Sequence, residues 1–186
     1  MISSADTSTG GPAIILVTAA ADETAGILQF GAYRFPCALG RSGIVATKRE
    51  GDGGTPTGCF PLRELRYRQD RLAPPATALP LMPICPDDGW CDASGDPAYN
   101  RPVRLPYPAS AEAMWRTDRL YDLVVPLGYN DDPVIPEEGS AIFFHVANEK
   151  DGILQPTEGC VALRPDDMLA VLAHCGPGTS MRIELR

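Results

Sequence analysis

Histidine is scarce in this chain: there are two, His145 and His174. Any chemistry that needs an imidazole base must use one of them, which leaves few pairings to consider. Positive charge is also in deficit. Sixteen Lys and Arg face twenty-four Asp and Glu, for a net charge of −8. No basic stripe can form to neutralise phosphates, so nucleic acid is excluded as a partner, while a cationic substrate is not. No apolar run approaches the ~18–20 residues of a membrane span, so no integral membrane segment is expected. Met1 to Pro12 is small and polar and lacks the basic and apolar regions of a signal peptide. Ala13-Ile14-Ile15-Leu16-Val17 is too short for one and reads as a strand. Zinc spacing is missing as well. Among Cys37, Cys59, Cys85, Cys91, Cys160 and Cys175, no second pair or nearby histidine accompanies Cys85 and Cys91. No metal and no other cofactor is expected. Internal repeats and low-complexity linkers are absent too.

What is present fits one globular domain. The chain has 186 residues, 44% of them hydrophobic and 22% charged, with 19 prolines and 18 glycines. That much Pro and Gly favours short strands and many turns over long helices. Strand-like runs fall at about 13–19, 26–30, 32–39, 59–67, 103–105, 121–127, 141–147, 160–163 and 180–185, with a hairpin turning at Gly31. One helix is expected over about 109–117, capped by Ser110, and another over about 165–175. In the second, Pro165 suits the first turn and Asp166 and Asp167 its positive end. Met168, Leu169, Val171 and Leu172 form its apolar face, and Gly176-Pro177 stops it. The proline-rich stretch at about 70–102 reads as a long loop. The expected class is mostly β, a single domain over 13–186 with one or two peripheral helices, after a flexible lead-in over 1–12.

The chemistry-bearing residues lie late in the chain. Phe143-Phe144-His145 puts a histidine at the end of an apolar strand-like run. Fourteen residues separate His145 from Cys160, and the run Thr157-Glu158-Gly159-Cys160-Val161-Ala162-Leu163 puts that cysteine after a glycine, at the mouth of a second run. A Cys and a His on neighbouring strands are the minimum for a thiol nucleophile with its general base. A thiol of ordinary pKa near 8.5 is mostly protonated at neutral pH, and a nearby imidazole lowers that value. The rival pair His174-Cys175 is adjacent on a helix, where neighbours do not face each other, and His174 reads as a cation at the helix C-terminus. With Cys160 as a free nucleophile, five cysteines remain. A complete disulfide framework is therefore not expected, although a single Cys85–Cys91 bridge stays open beside the reading of small buried apolar residues.

These residues resemble the catalytic motif of the L,D-transpeptidase family, the YkuD-type catalytic domain. Its pattern is a strand-borne His, a variable loop, then Ser/Thr-x-Gly-Cys and an apolar residue. Gly51-Asp52-Gly53-Gly54-Thr55-Pro56-Thr57-Gly58-Cys59-Phe60 is similar to the family's Thr-Pro-x-Gly-x-Phe turn, and Ala38-Leu39-Gly40-Arg41-Ser42-Gly43 stands where its preceding strand ends. The resemblance covers roughly residues 12–186. It implies a β-sandwich or barrel-like fold and a cysteine transpeptidase acting on peptidoglycan stem peptides. Cys160 would be the nucleophile, His145 its base, and Gly159 the small residue that lets backbone N–H groups face the oxyanion. It also implies a periplasmic or cell-wall location, although no signal peptide is visible, and susceptibility to carbapenems. An L,D-carboxypeptidase on the same scaffold is the alternative, and a non-catalytic wall-binding domain a more distant one. Two departures stand out: Glu158 replaces the usual His before the glycine, and Ala162 replaces a common Arg. They are similar to a divergent proteobacterial-type subgroup associated with L-Ala-to-diaminopimelate cross-links.

Further residues have two readings each. Glu158 is either a solvated loop charge or a contact for a cationic amine, pointing away from the sulfur. Thr157 holds the loop or touches substrate, the loop being favoured. Tyr99, Asn100 and Arg101, with Trp90 and Asp92, are either a lid in which Arg101 binds a peptide carboxylate, or internal pairings of the long loop. Lys48, Glu50 and Asp52 form a charged stretch that reads as a solvated loop, with a contact to substrate as the alternative. A monomer is expected.

Overall fold

The computed structural model describes residues 13–186, so the expected lead-in over 1–12 lies outside the described residues. The chain runs through β1 (Ile14–Ala19), β2 (Ala25–Phe30), β3 (Tyr33–Ala38), β4 (Ile44–Val45), β5 (Thr55–Pro56), β6 (Gly58–Pro61) and β7 (Leu65–Tyr67). It continues through β8 (Leu81–Pro83), β9 (Asp88–Cys91), β10 (Pro102–Arg104), β11 (Ala111–Ala113), β12 (Leu123–Pro126) and β13 (Phe143–Val146). It ends with β14 (Glu149–Lys150), β15 (Ile153–Leu154), β16 (Val161–Leu163), α1 (Pro165–Leu172) and β17 (Ser180–Leu185). The mostly β, single-domain expectation holds, with one helix.

Ten strands make one curled sheet in the order β6-β17-β1-β2-β3-β16-β13-β12-β7-β8. The expected strand over 59–67 is really two, and their break curls the sheet. β6 pairs with β17, β7 pairs with β12, and between them Leu62 N–H donates to Thr179 O while Arg63 N–H donates to Pro126 O. One short segment thus stitches two distant parts of the sheet, which gives the barrel-like closure. The β2–β3 hairpin turns at Gly31, whose φ of +57° is cheap without a Cβ.

Inside the curl, alternate residues of each strand form the main core. Ile15, Val17 and Ala19 of β1 are buried, as are Met181 and Ile183 of β17, Phe144 and Val146 of β13, and Val161 and Leu163 of β16. Burying side chains of this size contributes ~1.5–3 kcal/mol each. Helix α1 closes one side with Met168, Val171 and Leu172, while Leu169 of its expected apolar face is exposed.

The helix expected at 109–117 is not there. Ala111-Glu112-Ala113 is β11, paired antiparallel with β9, which also pairs with β10. Helix propensity in so short a run is a few tenths of a kcal/mol per residue, and strand pairing overrides it. The reading of 70–102 as a loop is corrected as well, since β8, at the edge of the large sheet, and β9, at the centre of the small one, lie within that stretch. All four residues of β9 are buried, so Asp88-Gly89-Trp90-Cys91 shows no alternation to read. All six cysteines are free, Cys85 and Cys91 included.

Candidate active site

Strands β13 and β16 lie side by side and parallel, with His145 opposite Ala162. Period-2 alternation sends Phe144, Val146, Val161 and Leu163 into the main core. Phe143, His145 and Cys160 are left on the other face. There Phe143 and Cys160 pack in a second cluster with Ile84, Trp90, Met114, Tyr121 and Val124. A cavity of about 500 Å³ opens on that face, and both Cys160 and His145 line it.

The loop carrying Cys160 is fixed by close backbone packing. Thr157 pairs with Leu39 and Arg41 through Thr157 N–H to Leu39 O and Arg41 N–H to Thr157 O, both 2.8 Å. A Cβ on Gly159 would stand 2.8 Å from Gly54 O, and one on Gly40 would stand 2.2 Å from Gly53 O. Gly159 also has φ +137°. The glycines of the Thr-Pro turn and of the Cys motif are therefore required by each other. Thr55 Oγ1 completes the seam by accepting from Gly40 N–H at 2.8 Å.

Thr157 holds the loop: its hydroxyl donates to Cys160 O at 2.7 Å and accepts from Gly159 N–H at 3.1 Å. That engages one of the two backbone donors expected to face an oxyanion. The N–H of Cys160 itself has no hydrogen-bond partner among the described residues.

Cys160 Sγ accepts from Phe143 N–H and donates to Ala141 O, each at 3.3 Å. Ala141 has φ +53°, a strained value for a non-glycine residue. Its N–H is held by Asn100 Oδ1 at 3.0 Å, and the same oxygen accepts from Trp90 Nε1 at 3.0 Å. His145 Nδ1 lies 2.8 Å from Val146 O. A carbonyl can only accept, so Nδ1 carries the hydrogen and Nε2 is the basic nitrogen. The ring sits edge-on to Tyr121, centroids 5.4 Å apart.

Burial sets the resting protonation. It pushes the Cys160 thiol up to about 12 against the opposing pull of Phe143 N–H, and Glu112 adds to the rise. Burial also pushes His145 down to about 4, although the carbonyls of Val146 and Leu120 favour its protonated form. The expected imidazole-lowered thiol is thus overridden by desolvation. The resting pair is a neutral thiol and a neutral imidazole.

The remaining expected residues divide. Glu158 sits at the cavity rim with its side chain 81% exposed, 2.7 Å from Arg41 Nη1. Tyr99 and Asn100 are buried supports that do not line the cavity. Tyr99 donates to Glu50 and accepts from Gly139 N–H, while the Asn100 amide ties Tyr129 O and Asn130 O. Arg101 lines a different cavity and donates to Asp131 O at 2.6 Å. Lys48 corrects the solvated-loop reading: its ammonium is buried on Asp52 Oδ1 (2.5 Å) and Arg49 O (2.8 Å) while its side chain lines the Cys160 cavity. Glu112, Arg116, Tyr121 and Ser140 also line it and were missed. Glu112 and Arg116 lie within the segment read as a helix, Tyr121 opens one expected strand and Ser140 adjoins another, and no spacing signal there pointed to a cavity. Among the described residues, no group of three or more His, Cys, Asp or Glu is placed to hold a metal, and no helix is long and apolar enough to cross a membrane.

The chain matches the family model of the L,D-transpeptidase catalytic domain, YkuD, over residues 22–183. It belongs to that family, whose members act on cell-wall peptidoglycan. No curated protein and no solved structure matches it.

Proposed function

We propose that this protein is a cysteine L,D-transpeptidase that cross-links peptidoglycan stem peptides through a thioester on Cys160. The observation that carries the reading is the placement of Cys160 and His145 on one face of two adjacent parallel strands, both lining one cavity. The thiol leaves Ala141 O and turns to Nε2 of His145. As sulfur attacks the amide carbonyl, its proton passes to Nε2 and a C–S bond forms. The N–H of Cys160 donates to the developing oxyanion, a contribution of ~3 kcal/mol in other enzymes. Collapse breaks the C–N bond, and the leaving amine takes the proton from His145. An acceptor amine then attacks the thioester, its proton returning through His145 to sulfur as the C–S bond breaks. Val146 O holds the imidazolium formed in each half. Starting from neutral partners suits a concerted transfer, because no buried ion pair has to wait for substrate.

The departures at Glu158 and Ala162 favour the subgroup that makes L-Ala-to-diaminopimelate cross-links, and the substrate places the protein in the periplasm or at the cell wall. Intact-mass spectrometry after a carbapenem is expected to show one adduct, lost in Cys160→Ala. Muropeptide analysis after incubation with the purified protein is expected to show new cross-links. Trimmed stems without cross-links would assign a carboxypeptidase, and an unmodified protein with unchanged muropeptides would end the thiol reading.

A further inference from the structure

We propose that Asp92, Glu112 and Ser140 form a subsite in the Cys160 cavity for a protonated primary amine, the ammonium of a diamino-acid side chain on the stem peptide. The inference rests on reading this cavity as the acyl-transfer site.

The register of the small sheet brings the two carboxylates together. Glu112 lies directly opposite Trp90, and Asp92 continues the pairing, its N–H donating to Ser110 O at 3.3 Å. Asp92 is two residues beyond Trp90, so Asp92 and Glu112 share one face as diagonal cross-strand neighbours, ~7–8 Å apart at the backbone. Both line the cavity. Burial raises the Glu112 carboxyl above its usual range despite Tyr121 and Arg116, and the Asp92 charge adds to the rise.

The cations that line the cavity already have partners, and Arg116 reaches Glu112 with one nitrogen only, at 3.4 Å. The cavity is lined by Glu50, Asp92, Glu112 and Glu158 against Lys48 and Arg116. Lys48 is paired with Asp52, which lies outside the lining, and Arg116 holds Asp118 through Nη2 at 2.7 Å and Nε at 2.9 Å. Glu50 has Tyr99 and Glu158 has Arg41. Glu112 receives Tyr121 at 2.6 Å and Arg116 at 3.4 Å on the same oxygen, Oε1.

Among the described residues, two buried side-chain polar atoms are left without a partner: Asp92 Oδ1 and Ser140 Oγ. Ser140 is only 8% exposed, and like Asp92 it lines this cavity. An unmade buried hydrogen bond is costly, so two at one cavity mark a place completed by a ligand. Asp92 Oδ1 only accepts and Ser140 Oγ can accept, and four carboxylates line the cavity, so a donor that carries positive charge fits best. An ammonium has three N–H donors and no acceptor, which suits Asp92 Oδ1, the open oxygen of Glu112 and Ser140 Oγ. A guanidinium offers planar pairs of donors and fits a single facing carboxylate better than acceptors spread over three side chains.

The test separates binding from chemistry. The Kd of a synthetic stem peptide with a free diaminopimelate side-chain amine is measured by calorimetry on Cys160→Ala protein and compared with that of its side-chain N-acetyl counterpart. Acetylation is expected to weaken binding at least tenfold. Adding Asp92→Asn is expected to shrink that ratio to threefold or less, with Ser140→Ala giving a smaller drop in the same direction. A ratio near one in the Cys160→Ala background, or a ratio that survives Asp92→Asn, overturns the subsite. Thermal melts of the variants guard against unfolding. Wild-type protein then locates the amine: slower thioester formation on acetylation assigns it to the donor, and slower resolution assigns it to the acceptor. Absence of any thioester would overturn the thiol mechanism and leave the binding result standing.

Discussion

The two faces of the β13–β16 pair differ in what burial does. On one face, Phe144, Val146, Val161 and Leu163 are closed in the main core, with at most 3% exposure. On the other, Phe143, His145 and Cys160 are nearly as dry, yet the polar groups there border a cavity. Burial on the first face stabilises the fold through apolar area. Burial on the second raises a thiol and lowers an imidazole, storing chemistry as unfavourable protonation. Thiol pKa alone would not find the site: burial also pushes Cys37 and Cys175 up to about 12, and neither lines the cavity. What sets Cys160 apart from these buried thiols is the face it occupies.

The widest separation of the two faces is expected from Cys160→Ala. Removing the nucleophile should lower turnover at least about 10⁴-fold, while the melting temperature moves by only a few degrees. Cross-linking or hydrolysis retained near wild-type level in that variant would sink the thiol mechanism. The reciprocal change, Phe144→Ala, opens a hole in the closed core and should cost about 3–5 kcal/mol in urea unfolding. Protein that remains folded should still acylate at Cys160. A loss below 1 kcal/mol would show that the two faces are not as distinct as their packing.

The sequence made the active face legible and left its surroundings obscure. His145 and Cys160 could be found because apolar strand-like runs flank both, and because Gly159 and the Gly53-Gly54-Thr55-Pro56 turn carry a shared pattern whose cause is mutual backbone contact. Helix α1 was readable from Pro165 and its paired aspartates, but it ends at Leu172, short of the expected stop at Gly176. The small sheet was not. β9 is buried on both faces, and Ala111-Glu112-Ala113 has helical composition but strand partners distant in the chain. Glu112 was hidden with it, and Asp92 was read only as a member of the long-loop cluster around Tyr99 and Arg101. The Thr157 hydroxyl bonds the loop, the favoured of its two readings, since a hydroxyl three residues before a cysteine can reach local backbone. Arg101 had no such constraint, and its guanidinium faces another cavity.

The pH dependence of stability probes the active face at intermediate size. His145 is held near 4 in the fold, against an ordinary 6.5. Between those values the unfolded chain binds the proton and the folded chain does not. His145 therefore contributes stability that is fully present above pH 6.5 and lost as pH falls toward 4. A gap of this size corresponds to about 3 kcal/mol. Urea midpoints at pH 7, 5.5 and 4.5 should decline steeply in wild type and less steeply in His145→Gln, which has no proton to bind. Parallel declines in both proteins would mean that other groups set the acid limb.

The smallest effect is expected at the rim, where Glu158 departs from the family pattern. Its carboxylate lies 2.7 Å from Arg41, but the two side chains are 81% and 47% exposed. Ion pairs this exposed contribute ~0–1 kcal/mol and are screened by salt. Glu158 also borders the cavity and already has a cation, whereas Asp92 does not. An incoming amine should therefore gain more from Asp92 than from Glu158. Glu158→Gln is expected to change thioester formation and resolution by less than about threefold at 0.15 M salt, and the remaining effect should shrink at 0.5 M. Single-turnover intact-mass measurements resolve both steps. A large, selective slowing of resolution in this variant would move the acceptor contact out to the rim and leave the inner carboxylates a donor-side role.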